Sequence, residues 1–224
     1  MSMTKIHRTL AQRCKSILGM IVAGMLLFGG ATQAQNMKQK ITLTVKKQTK
    51  VEIALAADAD NTKIQFEQPN INAKWVNVID TTATLITISP SDTEFILIYG
   101  DVTTLAIKRN NHNIQAIDAR GNTALKKIIC IDDSLKSLNV TNCTALTSLE
   151  VNSSRISSLD ISTNTALTSL HCVNNKNLKS LDVSKNTALT DLNCHSSQLT
   201  SLDLSKNTAL CTLSCYGNQL TSLD

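Results

Sequence analysis

Aromatic residues are scarce in this chain. Phe, Tyr and Trp make up 3% of its 224 residues, so its surface offers a partner few aromatic anchors. Long apolar runs are scarce too. After Phe28 none reaches 18 residues, about the minimum for a membrane-spanning helix. No P-loop, dinucleotide fingerprint, nucleophile elbow or HExxH occurs, so the common nucleotide, hydrolase and metalloprotease chemistries have no motif to rest on. The four histidines (7, 112, 171 and 195) keep no register with a Ser or Cys that would make a catalytic dyad. An enzyme reading would have to rest on Glu52, Asp58, Asp60, Glu67 and Asp80, which show no pocket signature. The expectation is therefore no catalysis, no cofactor and no metal site.

The start of the chain is built differently from the rest. Lys5, Arg8, Arg13 and Lys15 precede an apolar run from Ile17 to Phe28, and Thr32-Gln33-Ala34 ends it with small residues. This pattern predicts a secretory signal peptide over 1–34, cleaved before Gln35, with an uncleaved anchor as the alternative. Cys14 lies ahead of the apolar run, so no lipoprotein cysteine follows it. Loss of those four basic residues lowers Lys+Arg from 22 to 18 against 17 Asp+Glu, and the net charge from +5 to +1. A nearly neutral mature chain gives no reason to expect nucleic acid as a partner. The expected location is secreted or cell-surface, with the periplasm as the alternative.

Residues 35–101 read as a β-rich N-terminal domain or cap. Apolar and polar residues alternate through Ile41, Leu43, Val45 and again through Val51, Ile53, Leu55, the pattern of half-buried strands. Asp58-Ala59-Asp60-Asn61 and Ser89-Pro90-Ser91-Asp92 carry turn chemistry. Phe66, Trp75, Phe95 and Tyr99 place most of the aromatics here.

From 102 to 224 one phrase recurs, plainest at Leu178–Leu189 and Leu199–Leu210 as L-x-S-L-D-[VL]-S-K-N-T-A-L. From Ile114 the first apolar position of each unit falls every 10 or 11 residues, ending at Leu220. Two units make a coil of 21 or 22 residues, and about five coils fit the segment. Within a unit the first, fourth and sixth places are apolar, as in Leu189, Leu192 and Cys194. The fourth and sixth share one face of a short strand, so stacked coils bury them at about 4.8 Å per coil. A single coil cannot bury its apolar face; a stack can.

The ninth place is a second ladder: Asn122, Asp133, Cys143, Ser154, Asn164, Asn175, Asn186, Ser197, Asn207 and Asn218. An inward Asn amide donates and accepts, which suits turn backbone groups without strand partners. The sixth place alternates. Cys130, Val151, Cys172, Cys194 and Cys215 hold it in one type of unit, and Ala119, Val140, Ile161, Val183 and Leu204 in the other. Cysteine trades there with aliphatics, so it reads as a small buried hydrophobe rather than half of a disulfide. No CxxC supports zinc.

Two outward rows remain. Asp118, Asn139, Asp160, Asp182, Asp203 and Asp224 stand at the fifth place of alternate units. They read as caps of their own turns, with a Ca²⁺ row as the alternative. In the other units Lys127, Ser148, Ser169, Asp191 and Thr212 flank Ile129, Glu150, His171, Asn193 and Ser214. These ten, with Tyr216, form the candidate binding face, because one variable face on a constant frame is how repeats distribute specificity.

The phrase L-C-T-L-S-C-Y-G-N-Q-L at Leu210–Leu220 resembles the leucine-rich repeat superfamily, with Cys at the third leucine place. The nested 10/11 spacing is similar to the bacterial subclass called IRREKO repeats, and the cysteine substitution to internalin-type cysteine-ladder repeats. The resemblance covers Ile114–Asp224. It implies a mainly β, right-handed solenoid with short parallel strands and little helix on an exported protein that binds other macromolecules. Protein or glycan recognition is the expected function. A structural spacer or assembly module is the alternative, as is a fragment of a longer array. No C-terminal cap is legible after Leu223, so edge-to-edge self-association is also in view.

Overall fold

A computed structural model describes residues 39–46, 51–57, 62–68, 71–78, 84–88, 95–108, 113–132 and 134–223. The signal-peptide segment 1–34, the turns at 58–61 and 89–92, and His112, Asp133 and Asp224 lie outside the described residues. Residues 38–224 form one compact unit.

The structure is mainly β, and the described residues contain no helix. Six strands precede the solenoid: β1 (Lys40–Val45), β2 (Val51–Ala57), β3 (Thr62–Gln68), β4 (Ile71–Val78), β5 (Thr84–Ile88) and β6 (Phe95–Tyr99). The coils contribute β7 (Val102–Lys108), β8 (Ile114–Asp118), β9 (Lys127–Ile131), β10 (Ser137–Asn139), β11 (Ser148–Asn152), β12 (Ser169–His171), β13 (Asp191–Asn193) and β14 (Thr212–Ser214). They assemble into a six-stranded sheet, ordered β10-β8-β1-β6-β3-β4, and an eight-stranded sheet, ordered β14-β13-β12-β11-β9-β7-β2-β5.

The two sheets run without a break from the first strands into the solenoid. The first coil puts β7 in one sheet and β8 in the other. Strand β2 covers β7 antiparallel, with Leu55 opposite Leu105, and β1 covers β8 antiparallel, with Leu43 opposite Ile117. Beyond them every pairing is parallel: β7 to β9 and on to β14, and β8 to β10. Both strand edges of the first coil are thereby paired, which removes the exposed template an open solenoid end presents. Gln39 adds a polar clasp. Its Nε2 donates to Thr123 Oγ1 at 3.0 Å, and its Oε1 accepts from Thr123 N–H at 2.9 Å.

One apolar cluster runs the length of the unit, from Ile41 and Leu43 through the coils to Leu202. The first, fourth and sixth places are buried in each unit from Ile114 to Leu189; in the next unit Leu199 and Leu202 are buried and Leu204 is half-buried. The chain is thus a parallel β-solenoid of about five coils with the leucine-rich phrase in its core.

The ninth-place ladder joins coil to coil by side-chain amides. Asn186 Nδ2 donates to Ile161 O at 3.0 Å and Asn164 O at 2.9 Å. Asn207 repeats this on Val183 O and Asn186 O, and Asn164 on Val140 O and Cys143 O. Each amide thus gives a second donor to two turn carbonyls one coil back, each of which already accepts one backbone N–H of its own turn. Cys143 takes the Asn place in this column, and its thiol reaches only one of the two, Ala119 O at 3.1 Å. Asn122, first in the column, behaves differently from the expected inter-coil bridge. Its Oδ1 accepts from Ala124 and Leu125 N–H, both at 3.2 Å, and its Nδ2 has no partner because no coil of this register lies behind it.

The other column alternates Ser and Asn. Asn175 Nδ2 donates to Val151 O at 2.8 Å, and its Oδ1 accepts from Ser154 Oγ–H at 2.6 Å and Ser154 N–H at 3.0 Å. Ser197 Oγ–H donates to Cys172 O at 3.1 Å, and Asn218 Nδ2 to Cys194 O at 2.9 Å. One residue earlier, Ser153, Asn174, Ser196 and Gly217 all take positive φ, between 52° and 67°. Only at Gly217 is that conformation free of a Cβ penalty. A third ladder has no counterpart in the sequence reading: Thr147, Thr168 and Thr190 hydroxyls donate to Lys126, Thr147 and Thr168 carbonyls, at 3.2, 3.0 and 3.1 Å.

Asn186→Leu should remove the second of two hydrogen bonds at each of the Ile161 and Asn164 carbonyls, which keep the Asn164 and Leu167 N–H donors, and cost about 1–3 kcal/mol. Cys143→Asn is the converse: an amide there reaches Asn122 O as well as Ala119 O, for a gain of about 1 kcal/mol. Thermal and urea unfolding of both variants checks the pair, and unchanged midpoints would refute the ladder's role.

Candidate binding face

In the cysteine-bearing units the fourth and sixth places point inward, so the third, fifth and seventh point outward. The parallel register stacks them. Lys127, Ser148, Ser169, Asp191 and Thr212 form one file; Ile129, Glu150, His171, Asn193 and Ser214 form the next. All ten residues read from the sequence therefore lie together on the eight-stranded sheet. Lys127 and Thr212 are exposed, and the eight between them are half-buried. The face is shallow, and the strand ladder fixes its backbone.

A seventh-place file completes it: Ile131, Asn152, Val173, His195 and Tyr216. The sequence reading found only Tyr216 of these. The signal was available, because the seventh place continues the odd-numbered outward side of the strand. His195 and Tyr216 stack with ring centroids 4.5 Å apart and planes 6° from parallel. Tyr216 remains 66% exposed, so His195 covers one ring face and leaves the other open.

The strongest polar contact on the face runs diagonally between β12 and β13. His171 Nε2 and Asp191 Oδ2 are 2.7 Å apart, and the Ser169 hydroxyl donates to the same oxygen at 3.4 Å. This is not a nucleophile–base–acid relay, because both groups meet the carboxylate and the serine does not meet the imidazole. Glu150 Oε1 accepts from Asn152 Nδ2 at 2.8 Å, and Asn152 Oδ1 accepts from Val173 N–H at 2.8 Å. His171 is thus held by Asp191 of the next coil, and Glu150 by Asn152 of its own strand, which is itself anchored to the next coil. Among the described residues no group of three His, Cys, Asp or Glu side chains stands close enough to hold a metal.

The carboxylate row on the other units caps its own turns. Asp160 Oδ1 accepts from Ser162 N–H at 3.0 Å and Ser162 Oγ–H at 2.7 Å. Asp182 and Asp203 accept from Ser184 and Ser205 N–H at 2.9 and 2.8 Å, and Asn139 from Thr141 N–H at 3.1 Å. Asp118 accepts from Arg120 N–H and pairs with its guanidinium at 2.7 Å. The Ser162 hydroxyl holds Asp160 below the ordinary carboxylate range, and the Ser184 and Ser205 N–H groups do the same for Asp182 and Asp203. At Asp118 burial pushes the pKa up, and the Arg120 contacts outweigh it.

The six described cysteines are free thiols. Cys130, Cys143, Cys172 and Cys194 are buried, Cys215 is half-buried and Cys211 is exposed. Burial first, and the neighbouring Cys215 second, push the Cys194 thiol up to about 12; burial takes Cys143 to about 11. Burial raises Cys130 and Cys172 as well. Thiols held protonated in an apolar file act as packing, not as nucleophiles.

No family model matches the chain, and no curated protein aligns with it. A solved structure it is similar to is the "Functional domain of InlJ from Listeria monocytogenes", whose title adds that it includes a cysteine ladder. The two are 23% identical, the match covers 61% of this chain and 44% of that one, and the TM-score is 0.39. The chain spans under half the length of that structure. Among the described residues no helix is long and apolar enough to cross a membrane.

The depressed carboxylates set an acid limit. A folded pKa below the unfolded value contributes stability above the unfolded pKa, near 4, and loses it as pH falls through the folded value. Unfolding midpoints should therefore drop below about pH 4. The triple variant Asp160→Asn, Asp182→Asn, Asp203→Asn keeps an acceptor in each turn, as Asn139 does, and should show a flatter profile there. An identical acid profile in the variant would contradict this assignment.

Proposed function

We propose that this is an exported leucine-rich repeat protein, of the nested 10/11 type, that recognises protein or glycan through the outward face of the eight-stranded sheet. One observation carries the reading. Three files of varied, mostly polar side chains, from Lys127 to Tyr216, stand on a frame whose inward places hardly vary. Stability needs only the inward residues, so the outward set is free to be chosen for a partner. The Lys127, Glu150, His171 and Asp191 heads supply orientation-dependent contacts, and Tyr216 supplies an open ring face. Export to the cell surface rests on the basic, apolar and small-residue pattern over 1–34, and an adhesive role follows from a recognition face displayed there.

A second reading, an assembly module, draws on a different observation. Among the described residues strand β14 pairs only with β13, and Leu213 and Leu223 are 36% and 48% exposed beside half-buried Leu204, Leu210 and Leu220. An unpaired edge beside apolar side chains favours pairing with another chain.

Arrays of glycans and extracellular proteins test the first reading, with Glu150→Ala and His171→Ala as face variants. The expected result is a ligand whose binding falls about tenfold, or 1.4 kcal/mol, in either variant. Hits indifferent to both substitutions, or no hits, would count against recognition by this face. Light scattering after gel filtration tests the second reading: assembly predicts a dimer or larger species, and a clean monomer contradicts it.

A further inference from the structure

The turns that lead from the cysteine-bearing strands to the alternate units carry a cluster of cations that neither the core nor the sheet face uses. Lys136, Arg155, Lys176 and Lys179 are all exposed, and none forms an ion pair among the described residues. They belong to three consecutive coils. Backbone bonds between coils fix the places they grow from: Lys136 N–H to Gln115 O at 2.8 Å, Arg155 N–H to Leu135 O at 2.7 Å, and Thr200 N–H to Lys179 O at 3.3 Å. Asn177 Nδ2 adds a bond to Arg155 O at 3.3 Å.

The column is selective along its length. The place Arg155 occupies is filled two and three coils on by Gln198 and Gln219, whose amides bond each other at 2.6 Å. Glutamine is thus compatible with the turn, and it makes a contact that stacked cations cannot make. Arg155, with Lys176 and Lys179 one coil on, instead sets like charges side by side, which costs folding free energy unless an anion offsets it. Among the described residues no acid forms an ion pair with these cations. Asp132 is buried and engaged by Ser134 and Ile114 N–H, while Asp160 and Asp182 are engaged by the Ser162 and Ser184 turns. Asp133 of the same turn lies outside the described residues.

We infer that this ridge is a docking surface for an acidic polysaccharide. Charge complementarity selects an anion, and the geometry selects a linear one. Successive coils advance by about 4.8 Å, close to the rise of one sugar residue in an extended chain, so each coil can meet one acidic sugar. Nucleic acid fits less well. Single strands are bound by aromatic rings on which bases stack, and among the described residues the ridge positions named above carry no ring. The ridge lies off the strand face and is independent of it, so the two surfaces can fail separately.

The test is binding to polygalacturonate, a carboxylate polymer, with dextran as the neutral control and single-stranded DNA as the competing polyanion. The proteins are the full chain, the variant Lys136→Gln/Arg155→Gln/Lys176→Gln/Lys179→Gln, and the face variant Glu150→Ala/His171→Ala. The expected result is salt-sensitive binding to polygalacturonate but not dextran, weakened about tenfold or more in the ridge variant. The unfolding midpoint of that variant should be unchanged or higher, and the face variant should bind like the parent. Equal binding by the ridge variant, no binding by the parent, or tighter binding to DNA than to polygalacturonate at the same salt would overturn the assignment.

Discussion

The interaction on which everything else depends is the bond from a buried asparagine amide to turn carbonyls one coil back. A coil of 21 or 22 residues must change direction several times, and each change leaves peptide groups without strand partners. Those groups face the interior. A backbone N–H of the same turn meets each of these carbonyls once, and a second bond to each is worth about 1 kcal/mol against a net fold stability of about 5–15 kcal/mol. Asn164, Asn186 and Asn207 meet two carbonyls each from a single side chain. The same bonds fix the offset between coils. That offset sets the strand register, and the register in turn stacks the outward files and the cation ridge. The proposed binding surfaces are thus consequences of how the turns are satisfied.

The ends of such a stack are its weak points, and the N-terminal end shows how this chain manages one. Strands β1 and β2 run antiparallel to the first coil and continue both sheets, so the interior of the cap and that of the solenoid are one core. The final coil has no comparable closure among the described residues, and its apolar places rise from buried to half-exposed at Leu210, Leu213 and Cys215. The central coils, covered on both sides, hold Glu150, His171 and Asp191 on rigid ground, which favours recognition by a pre-organised surface over one that adapts.

Much of this was legible in the sequence because solenoids obey local rules. The first, fourth, sixth and ninth places fix which side chains point inward, and the structure puts residues such as Leu170, Cys172 and Asn175 there, fully buried. The files of the candidate face followed from the same alternation. What was not legible depends on pairings between distant residues or on backbone details. Nothing local announces that Leu43 will lie opposite Ile117, or that β2 will close β7. The threonine ladder was hidden because Thr147 and its equivalents looked like ordinary exposed polar residues; only their reach to the preceding coil reveals them. The His171–Asp191 contact is diagonal, so neither file alone predicted it. Asn122 broke its column's pattern for a reason of position, since the partner carbonyls would belong to a coil that the cap replaces.

The most direct measurement of this account is hydrogen exchange at the asparagine side-chain amides, resolved by NMR. The Nδ2 protons of Asn164, Asn175, Asn186 and Asn207 should exchange as slowly as core backbone amides such as those of Leu149 and Leu170, since both open only when coils separate. Exchange of those side chains at the rate of the exposed Gln219 amide, with the backbone still protected, would contradict it.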